Sequence, residues 1–306
     1  MKKGSMLLFF FLGLFVHAQE KPMFEQQEIV RIETELASDK MEGRAIFTAG
    51  IDSASVFIER EFKNIGLTYF KDLKTYRQEF VTKGKNANNV IGIVPGKSKP
   101  NEYVIFSAHY DHLGLAESGT DKIYNGANDD ASGTTAVIAL AKYFKELNQN
   151  ERTLIFVAFT GEEVGGFGAS YFSKNIDAKT VVAMFNIEMI GTESKWGKNS
   201  AYITGFEKSD FGTILQKNLA NSNFSFNADP YPQEQLFYRS DNARLAALGV
   251  PAHTISTSKM DVEPNYHKLS DAVSTLDLAN MTEIIKAIAI SSQSIVNGQD
   301  TPSRVK

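Results

Sequence analysis

Two adjacent glutamates, Glu162 and Glu163, follow an unbroken apolar run at residues 154–159 and precede several small residues. Such a run is typical of a parallel strand that is buried on both faces. In open α/β sheets, ligands bind at the carboxyl ends of the strands. Because consecutive side chains point in different directions, one carboxylate could bind a metal ion while its neighbour handles a proton. For an isolated pair, the alternative is two solvated glutamates in a turn.

Polar residues also stand at the ends of other apolar segments. His109 follows YVIFSA, Glu188 follows VVAMFNI, His267 lies beyond the last predicted strand, and Asp129 lies in GANDDASG ahead of a predicted helix. Two histidines and several carboxylates, in a chain without cysteine, suit zinc or a similar divalent ion. The carboxylates exceed the needs of one zinc ion. If Asp129 lay between two histidine-bound ions, the site would hold two metals roughly 3.5–4 Å apart.

Strand and helix patterns alternate along the chain. The predicted strands are an edge strand around 80–81, then 88–94, 103–108, 154–159, 181–187, 201–204 and 250–255. The predicted helices are 26–37, 49–65, 133–147 with Ser132 as its cap, 171–175, 211–220, 241–248 and 276–296. We expect an irregular loop at 221–240 and a frayed tail at 297–306. The alternation predicts one α/β domain, with a mainly parallel sheet and helices on both faces.

The composition is that of a folded protein. The chain has 306 residues, of which 42% are hydrophobic, so it can bury a substantial core. The formal net charge is −4, and no basic stretch resembles a phosphate-binding patch. We therefore expect no nucleic-acid partner. The sequence does not indicate an oligomeric state.

The amino terminus has the pattern of a secretory signal. Lys2 and Lys3 precede an apolar stretch at 6–16, and Val16-His17-Ala18 is a small-residue cleavage site. We predict a signal peptide at 1–18, cleavage before Gln19, and a mature domain at 19–306 with a charge of −6 once both lysines are lost. The stretch is short for a membrane span, which disfavours an uncleaved anchor. The protein should be exported to the periplasm or the medium, without stable membrane insertion.

Five motifs occur in order along the chain: HYDHLG, GANDDASG, FTGEEVGG, NIEMIG and YHKLSD. One such motif is a weak signal, but five in this order and spacing resemble the co-catalytic zinc aminopeptidases of the M28 peptidase family. The resemblance extends over about residues 36–276. It implies a zinc-peptidase α/β fold with a mixed sheet. The segment between Phe80 and Tyr103 is too short for the protease-associated insertion domain of some relatives.

The resemblance also implies roles for particular residues. His109 and Glu188 match the ligands of one zinc ion, Glu163 and His267 match those of the other, and Asp129 matches the residue that bridges both.

Three further residues match positions near the reaction. Glu162 matches the general base, and Asp111 matches the acid that orients the His109 imidazole, a role with its own physical rationale. Tyr266 stands where some members place a tyrosine near the substrate carbonyl.

Some positions depart from the family or leave alternatives open. Many members have aspartate in place of Glu188, which is one methylene longer. Asn242 stands where relatives often have histidine, and we assign it no role. Asp130 is an alternative to Asp129 as the bridging residue.

Other polar residues have unremarkable interpretations. We expect His253 to be a packed, hydrogen-bonded strand residue and His112 to lie in a loop or at a pocket rim. Arg44 should belong to a local ion pair or a solvated loop. Residues 237–239 could line a substrate pocket or simply pack.

These features predict a zinc-dependent aminopeptidase that hydrolyses N-terminal residues from peptides, with Glu162 as the base. Two alternatives are a glutaminyl cyclase, an acyltransferase of the same fold with one zinc ion, and a carboxypeptidase, for which Arg239 would be the basic group. A third is an exported binding protein with a relic metal site. Glu162 disfavours this last class, because a structural site needs no base beside its ligands.

Overall fold

The computed structural model describes residues 23–306, so the predicted signal peptide and its cleavage site lie outside the described residues. The strands of this part of the chain are β1 (Arg77–Thr82), β2 (Lys85–Val94), β3 (Lys99–His109), β4 (Gly114–Leu115), β5 (Ile123–Tyr124), β6 (Arg152–Phe159), β7 (Val181–Ile187), β8 (Ser200–Ile203), β9 (Ser225–Ala228) and β10 (Ala252–Ser256). Its α-helices are α1 (Gln26–Leu36), α2 (Ala49–Ile65), α3 (Ser132–Leu147), α4 (Phe167–Lys174), α5 (Phe211–Asn218), α6 (Asn242–Ala246), α7 (Leu278–Ser291) and α8 (Gln293–Val296).

Eight strands form one mixed sheet in the order β1-β2-β6-β3-β7-β10-β8-β9, while β4 and β5 form a small separate hairpin. The four central strands, β6, β3, β7 and β10, are parallel to one another. Strands β1 and β2 continue the sheet in antiparallel fashion on one side, and β8 pairs antiparallel with β10 on the other. The mixed sheet of the sequence prediction is confirmed.

Helices cover both faces of the sheet, as predicted. Along β3, Val104 and Phe106 pack into the larger core, which includes residues of α1, α2, α3, α5 and α7. Ile105 points to the opposite face, where it packs with residues of α4 and α6. Because both faces are covered, the middle parts of β3, β6 and β7 are mostly apolar on both sides of the sheet. Within residues 23–306, no helix combines the length and apolar composition needed to cross a membrane.

Three local predictions were wrong. The segment 221–240, predicted to be an irregular loop, contains the short edge strand β9. Its sequence, SFNA, has no clear strand pattern. The Ser132 hydroxyl does not cap α3; it donates to the Asn128 carbonyl and accepts from the Ile190 amide. The carboxyl-terminal tail is held in place, because the Arg304 guanidinium donates to backbone carbonyls such as that of Val181 and the Val305 amide donates to Gly249.

Candidate active site

The parallel strands deliver the predicted site residues to one edge of the sheet. His109 is the last residue of β3, Glu162 and Glu163 follow β6, and Glu188 follows β7 directly. Because these strands are parallel neighbours, their carboxyl ends lie side by side. Asp129 comes from the segment before α3, and His267 comes from the loop beyond β10. The structure thus brings together residues that are far apart in sequence.

Asp129 lies at the centre of this group. Its Oδ1 is 3.3 Å from His109 Nε2, and its Oδ2 is 3.3 Å from His267 Nε2. Glu163 Oε2 lies 3.1 Å from the same His267 nitrogen, and Glu188 Oε1 lies 4.0 Å from His109 Nε2. One ligand atom from each of His109, Asp129 and Glu163 falls within 4.8 Å of the others, close enough to share a metal ion.

The donor atoms at this site fit a divalent metal. His109 Nε2, Asp129 Oδ2 and Glu188 Oε2 are buried and make no well-formed hydrogen bond to any described residue. Burying polar and charged atoms without partners is costly. Imidazole nitrogens and carboxylate oxygens are ligands that zinc accepts, and a cation would satisfy all three orphaned atoms. We conclude that the residues present suit a zinc-type centre.

The acids around the centre also favour a cation. Burial raises the pKa of Glu162 well above its usual range and raises that of Glu188. Burial raises the pKa of Asp241 to about 8, and neither of its carboxylate oxygens has a hydrogen-bond partner among the described residues. Neighbouring carboxylates raise these pKa values further, so added positive charge would stabilise the ionised forms.

The pKa values of His267 and Asp129 shift in the directions that favour the charged form of each group. Contacts with Asp129 and Glu163 raise the pKa of His267 to about 10. Burial alone would raise the pKa of Asp129, but contacts with His109 and His267 lower it below its usual range. A protonated His267 therefore supplies positive charge when no metal is bound, and a metal ion would have to displace that proton.

Asp111 supports the glutamate pair. Its Oδ1 accepts a hydrogen bond from the Glu162 amide at 3.1 Å, and its Oδ2 accepts from the Glu163 amide at 3.3 Å. The carboxylate lies 3.8 Å from His109 Nδ1, beyond hydrogen-bond distance, whereas the Asp111 carbonyl lies 3.1 Å from that nitrogen. Asp111 therefore contacts His109 through its backbone and both glutamates through its side chain.

Asp130, the alternative bridging residue, makes different contacts from Asp129. Asp130 Oδ1 accepts hydrogen bonds from the amides of Gly133 and Met189, both at 3.0 Å. These bonds join the start of α3 to the turn after β7, so the Asp130 side chain already has a structural role.

Asp271 is a residue that the sequence prediction missed. Its carboxylate accepts hydrogen bonds from the amides of Asn128 at 2.8 Å and Asp129 at 3.0 Å. It therefore holds the backbone that presents Asp129. Its place as the last residue of the motif YHKLSD was the only signal in the sequence.

His112 lies in the loop between β3 and β4, as predicted, but this part of the loop is buried inside the site. Its side chain is fully buried, and its Nδ1 is 2.8 Å from Glu163 Oε1. Because Glu163 Oε2 faces His267, the two oxygens of this carboxylate have different partners. His112 therefore fixes the orientation of Glu163. Its position in the motif HYDHLG did not reveal this, since the contact joins segments 51 residues apart.

Replacing His112 with leucine should weaken zinc binding by about 10–100-fold, because the group that orients Glu163 is lost. His112→Asn should retain most of the affinity, since its amide nitrogen can donate from nearly the position of Nδ1. Competition with a chromogenic chelator measures both affinities. A leucine variant that binds zinc as tightly as the wild type would show that Glu163 needs no such donor.

Arg44 is completely buried, so the predicted ion pair or solvated loop was wrong. Its guanidinium donates to the backbone carbonyls of Leu36, Tyr110, Asn125 and Gly126 at 2.6–2.8 Å. Two of these segments lead directly into the site, one toward His112 and the other toward Asp129. Arg44 thus ties together the loops that carry candidate ligands.

Arg44→Met should destabilise the fold by about 3 kcal/mol or more, because it leaves several buried carbonyls unpaired. Arg60→Met, at an exposed position of α2, is the matched control and should stay within about 0.5 kcal/mol of the wild type. Urea unfolding measures both free energies. An equal decrease in the free energy of unfolding in the two variants would contradict a structural role for the buried guanidinium.

A cavity of about 230 Å³ opens beside the acidic cluster. Its lining includes Glu162, Glu163, Tyr266 and His267 together with Arg239. The Tyr266 ring stacks on the His267 ring, with centroids 3.9 Å apart. Arg239 donates to Glu234 at 2.9 Å, and both side chains of this pair are exposed. The cavity is large enough for an amino-acid side chain next to the candidate metal ligands.

His253 and Asn242 make hydrogen bonds that support the fold and lie outside the group of candidate ligands. His253 is buried between Ser209 Oγ and the Thr204 carbonyl, at 2.7 and 2.8 Å, as predicted for a packed histidine. Asn242 bonds to the carbonyls of Phe237 and Ala252 and so secures the start of α6.

Comparison with known proteins gives a consistent picture. The sequence profile of peptidase family M28 matches residues 89–291. Aminopeptidase YwaD from Bacillus subtilis is 23% identical over 230 residues, which cover 72% of this chain and 48% of that protein. The chain spans about half or less of the length of the first curated relatives it matches.

Solved structures share the fold. The zinc aminopeptidase BSAP from Bacillus subtilis aligns with a TM-score of 0.72 and 14% identity, over 94% of this chain and 99% of that one. The glutaminyl cyclase of Porphyromonas gingivalis aligns with a TM-score of 0.71 and 15% identity, over 90% and 99%. The family match covers about two thirds of the sequence, from the second strand of the sheet to the end of α7. The chain therefore belongs to peptidase family M28.

Proposed function

We propose that this protein is an exported zinc-dependent exopeptidase, and specifically an aminopeptidase that removes N-terminal residues from peptides. The observation that carries the proposal is the position of Asp129 between His109 and His267, with Glu162 and Glu163 both lining the adjacent cavity. This arrangement combines candidate metal ligands with a carboxylate that is free to act as a base.

Two metal ions would be held by different residues of the centre. His109 and Glu188 would hold one ion, Glu163 and His267 would hold the other, and Asp129 would contact both. Bound zinc would polarise the scissile carbonyl and lower the pKa of a water molecule from 15.7 toward about 7.

Glu162 would move the proton. Its carboxylate would take a proton from the attacking water and deliver it to the leaving amine nitrogen. Burial raises the pKa of this carboxyl well above its usual range, which brings proton uptake and release closer to neutral pH. Asp111 would keep Glu162 in place through the backbone amide bonds described above.

The charge of the cavity supports recognition of an amino terminus. Asp129, Glu162, Glu163 and Glu188 all line it. Three of these carboxylates would be zinc ligands, which leaves Glu162 as the one that could accept a hydrogen bond from a peptide ammonium group. Arg239 is the basic residue that a carboxypeptidase would need, but Glu234 already pairs with it. Glu162 and the pairing of Arg239 with Glu234 therefore support an aminopeptidase over a carboxypeptidase.

Glutaminyl cyclase is the second candidate, because the fold also resembles that of the Porphyromonas gingivalis enzyme. Such an enzyme would use one zinc ion and would close an N-terminal glutamine into a ring with loss of ammonia. The hydrolase has the stronger support, since the centre offers ligands for two ions around Asp129.

A peptide with a free amino terminus, its N-acetylated counterpart and a peptide that begins with glutamine test the proposal together. An aminopeptidase should release the first residue from the free peptide and leave the acetylated one intact. Ring closure of the glutamine peptide without hydrolysis of the others would establish the cyclase instead. Cleavage of the acetylated peptide at its carboxyl end would establish a carboxypeptidase.

Export is part of the proposal and rests on the amino-terminal sequence. Secreted protein should begin at Gln19, and intact-mass measurement would detect a chain that still begins at Met1.

A further inference from the structure

The cavity beside the acidic cluster has a wall of hydroxyl groups. Strands β8 and β10 pair antiparallel, with Ser256 opposite Tyr202. Because side chains alternate along a strand, Tyr202, Thr204, Thr254 and Ser256 lie on the same face, and all four line the cavity. Ser258 continues this row beyond β10. We call these five residues the hydroxyl wall.

Some hydroxyl protons of the wall already have strong acceptors. Thr254 donates to Asn242 Oδ1 at 3.0 Å, and Tyr202 donates to the Ser258 carbonyl at 3.1 Å. Burial raises the pKa of the Tyr202 phenol, and a contact with Ser256 partly opposes this shift. The Ser256 hydroxyl donates to the Met189 carbonyl at 3.5 Å. These three hydroxyls mainly hold the wall together.

Two hydroxyl protons of the wall lack a good hydrogen-bond acceptor. Thr204 Oγ1 accepts the Thr254 amide at 3.2 Å, but its proton has no acceptor among residues 23–306. The Ser258 hydroxyl has only the Met260 sulfur, at 3.5 Å, and a thioether is a weak acceptor. Both side chains are almost fully buried, so a ligand in the cavity is the natural partner for their protons.

We propose that the hydroxyl wall selects substrates whose N-terminal side chain is neutral and accepts hydrogen bonds, as those of asparagine, glutamine, serine and threonine do. This inference rests on the proposed aminopeptidase function. An apolar side chain would fill the same space and leave the Thr204 and Ser258 protons unpaired, which disfavours it. A carboxylate side chain would share the cavity with the Glu162 carboxylate, which is not assigned to zinc, so aspartate should be a poorer substrate than asparagine.

Substrates that differ only in a polar group test the inference. Asparagine and leucine have nearly the same shape, as do threonine and valine, so peptides that begin with each member of a pair isolate the hydrogen bond. We expect kcat/KM to be roughly 3- to 10-fold higher for the asparagine and threonine peptides. Equal values, or higher values for leucine and valine, would overturn the inference while leaving the aminopeptidase proposal intact.

Thr204→Val keeps the shape of the side chain but removes the hydroxyl, and with it both the unpaired proton and the oxygen that accepts the Thr254 amide. In this variant the asparagine-to-leucine ratio of kcat/KM should fall toward one. Thr153→Val is the matched control, because Thr153 is a buried threonine at the other end of β6, and its ratio should stay at the wild-type value. A ratio that survives in Thr204→Val and in Ser258→Ala would show that the wall does not select the side chain.

A binding measurement separates the inference from the activity. Calorimetric titration of the zinc-loaded protein with free asparagine and free leucine reports selection without requiring hydrolysis. Tighter binding of asparagine, lost in Thr204→Val, supports the wall even if no peptide is cleaved. Leucine binding as tight as that of asparagine would overturn the inference in that case as well.

Discussion

Glu162→Gln should lower kcat on an unblocked peptide by about 10²–10⁴-fold, the usual contribution of a general base. The variant should keep its metal ions and its fold. Glutamine has nearly the same shape as glutamate but cannot take a proton from water. The backbone amide of residue 162 would still donate to Asp111, so the local structure should be retained.

Glu163→Gln is the matched comparison, because it makes the same chemical change at the neighbouring residue. Glu163 faces His267 and His112, so a neutral amide there should lower metal occupancy. Metal content and kcat are measured side by side for both variants. If Glu162→Gln retained near-normal turnover, or lost metal as Glu163→Gln does, the base would have to be sought elsewhere.

Asp129→Ala should lose both metal ions, which is the largest expected effect on binding. The carboxylate lies 3.3 Å from the nitrogens of both His109 and His267, so its removal takes a ligand from each ion. His109→Ala and His267→Ala should each weaken mainly one ion. Elemental analysis after gel filtration gives the number of ions per chain.

Asp121→Ala removes an aspartate from an exposed loop and should keep the wild-type stoichiometry. Two ions per chain in Asp129→Ala would move the bridging role to Asp130 or reject a two-metal site. Asp130 would then have to bind metal through Oδ2, because its Oδ1 accepts two backbone amides.

Local sequence patterns were sufficient for the core of the fold. The buried strands β3, β6 and β7 each contain a mainly apolar run, and a polar residue that could bind a metal or move a proton ends or follows each strand. Since parallel strands place their carboxyl ends together, the meeting of His109, Glu162 and Glu188 at one edge followed from pattern alone. Short edge strands lack such a signal, which is why β9 was missed.

Residues that act through long-range contacts were harder to predict. Arg44 looks like a surface arginine in sequence, but four carbonyls from three separate segments surround it. Arg304 remains exposed, yet it also holds distant carbonyls, those of Val181 in β7 and of Leu248 just beyond α6. The burial of a charge such as that of Arg44 depends on tertiary structure and leaves no local pattern.

The same distinction between local sequence patterns and long-range contacts applies to the candidate active site. The candidate metal ligands were predictable because nitrogen and oxygen donors at strand ends have a recognisable chemistry. The groups that orient them were not, since His112 and Asp271 act on residues 51 and 142 positions away. Asp111 was expected beside His109, and its side chain instead bonds the backbone of both glutamates.

Hydrolysis of an unblocked peptide by metal-stripped protein, followed as zinc is added back, tests the central claim most directly. We predict no activity without metal and a rise that reaches its plateau at two zinc ions per chain, with release of the first residue. Activity that survives complete removal of metal would contradict the account. A plateau at one ion, with ring closure of glutamine as the only reaction, would contradict it in favour of the cyclase.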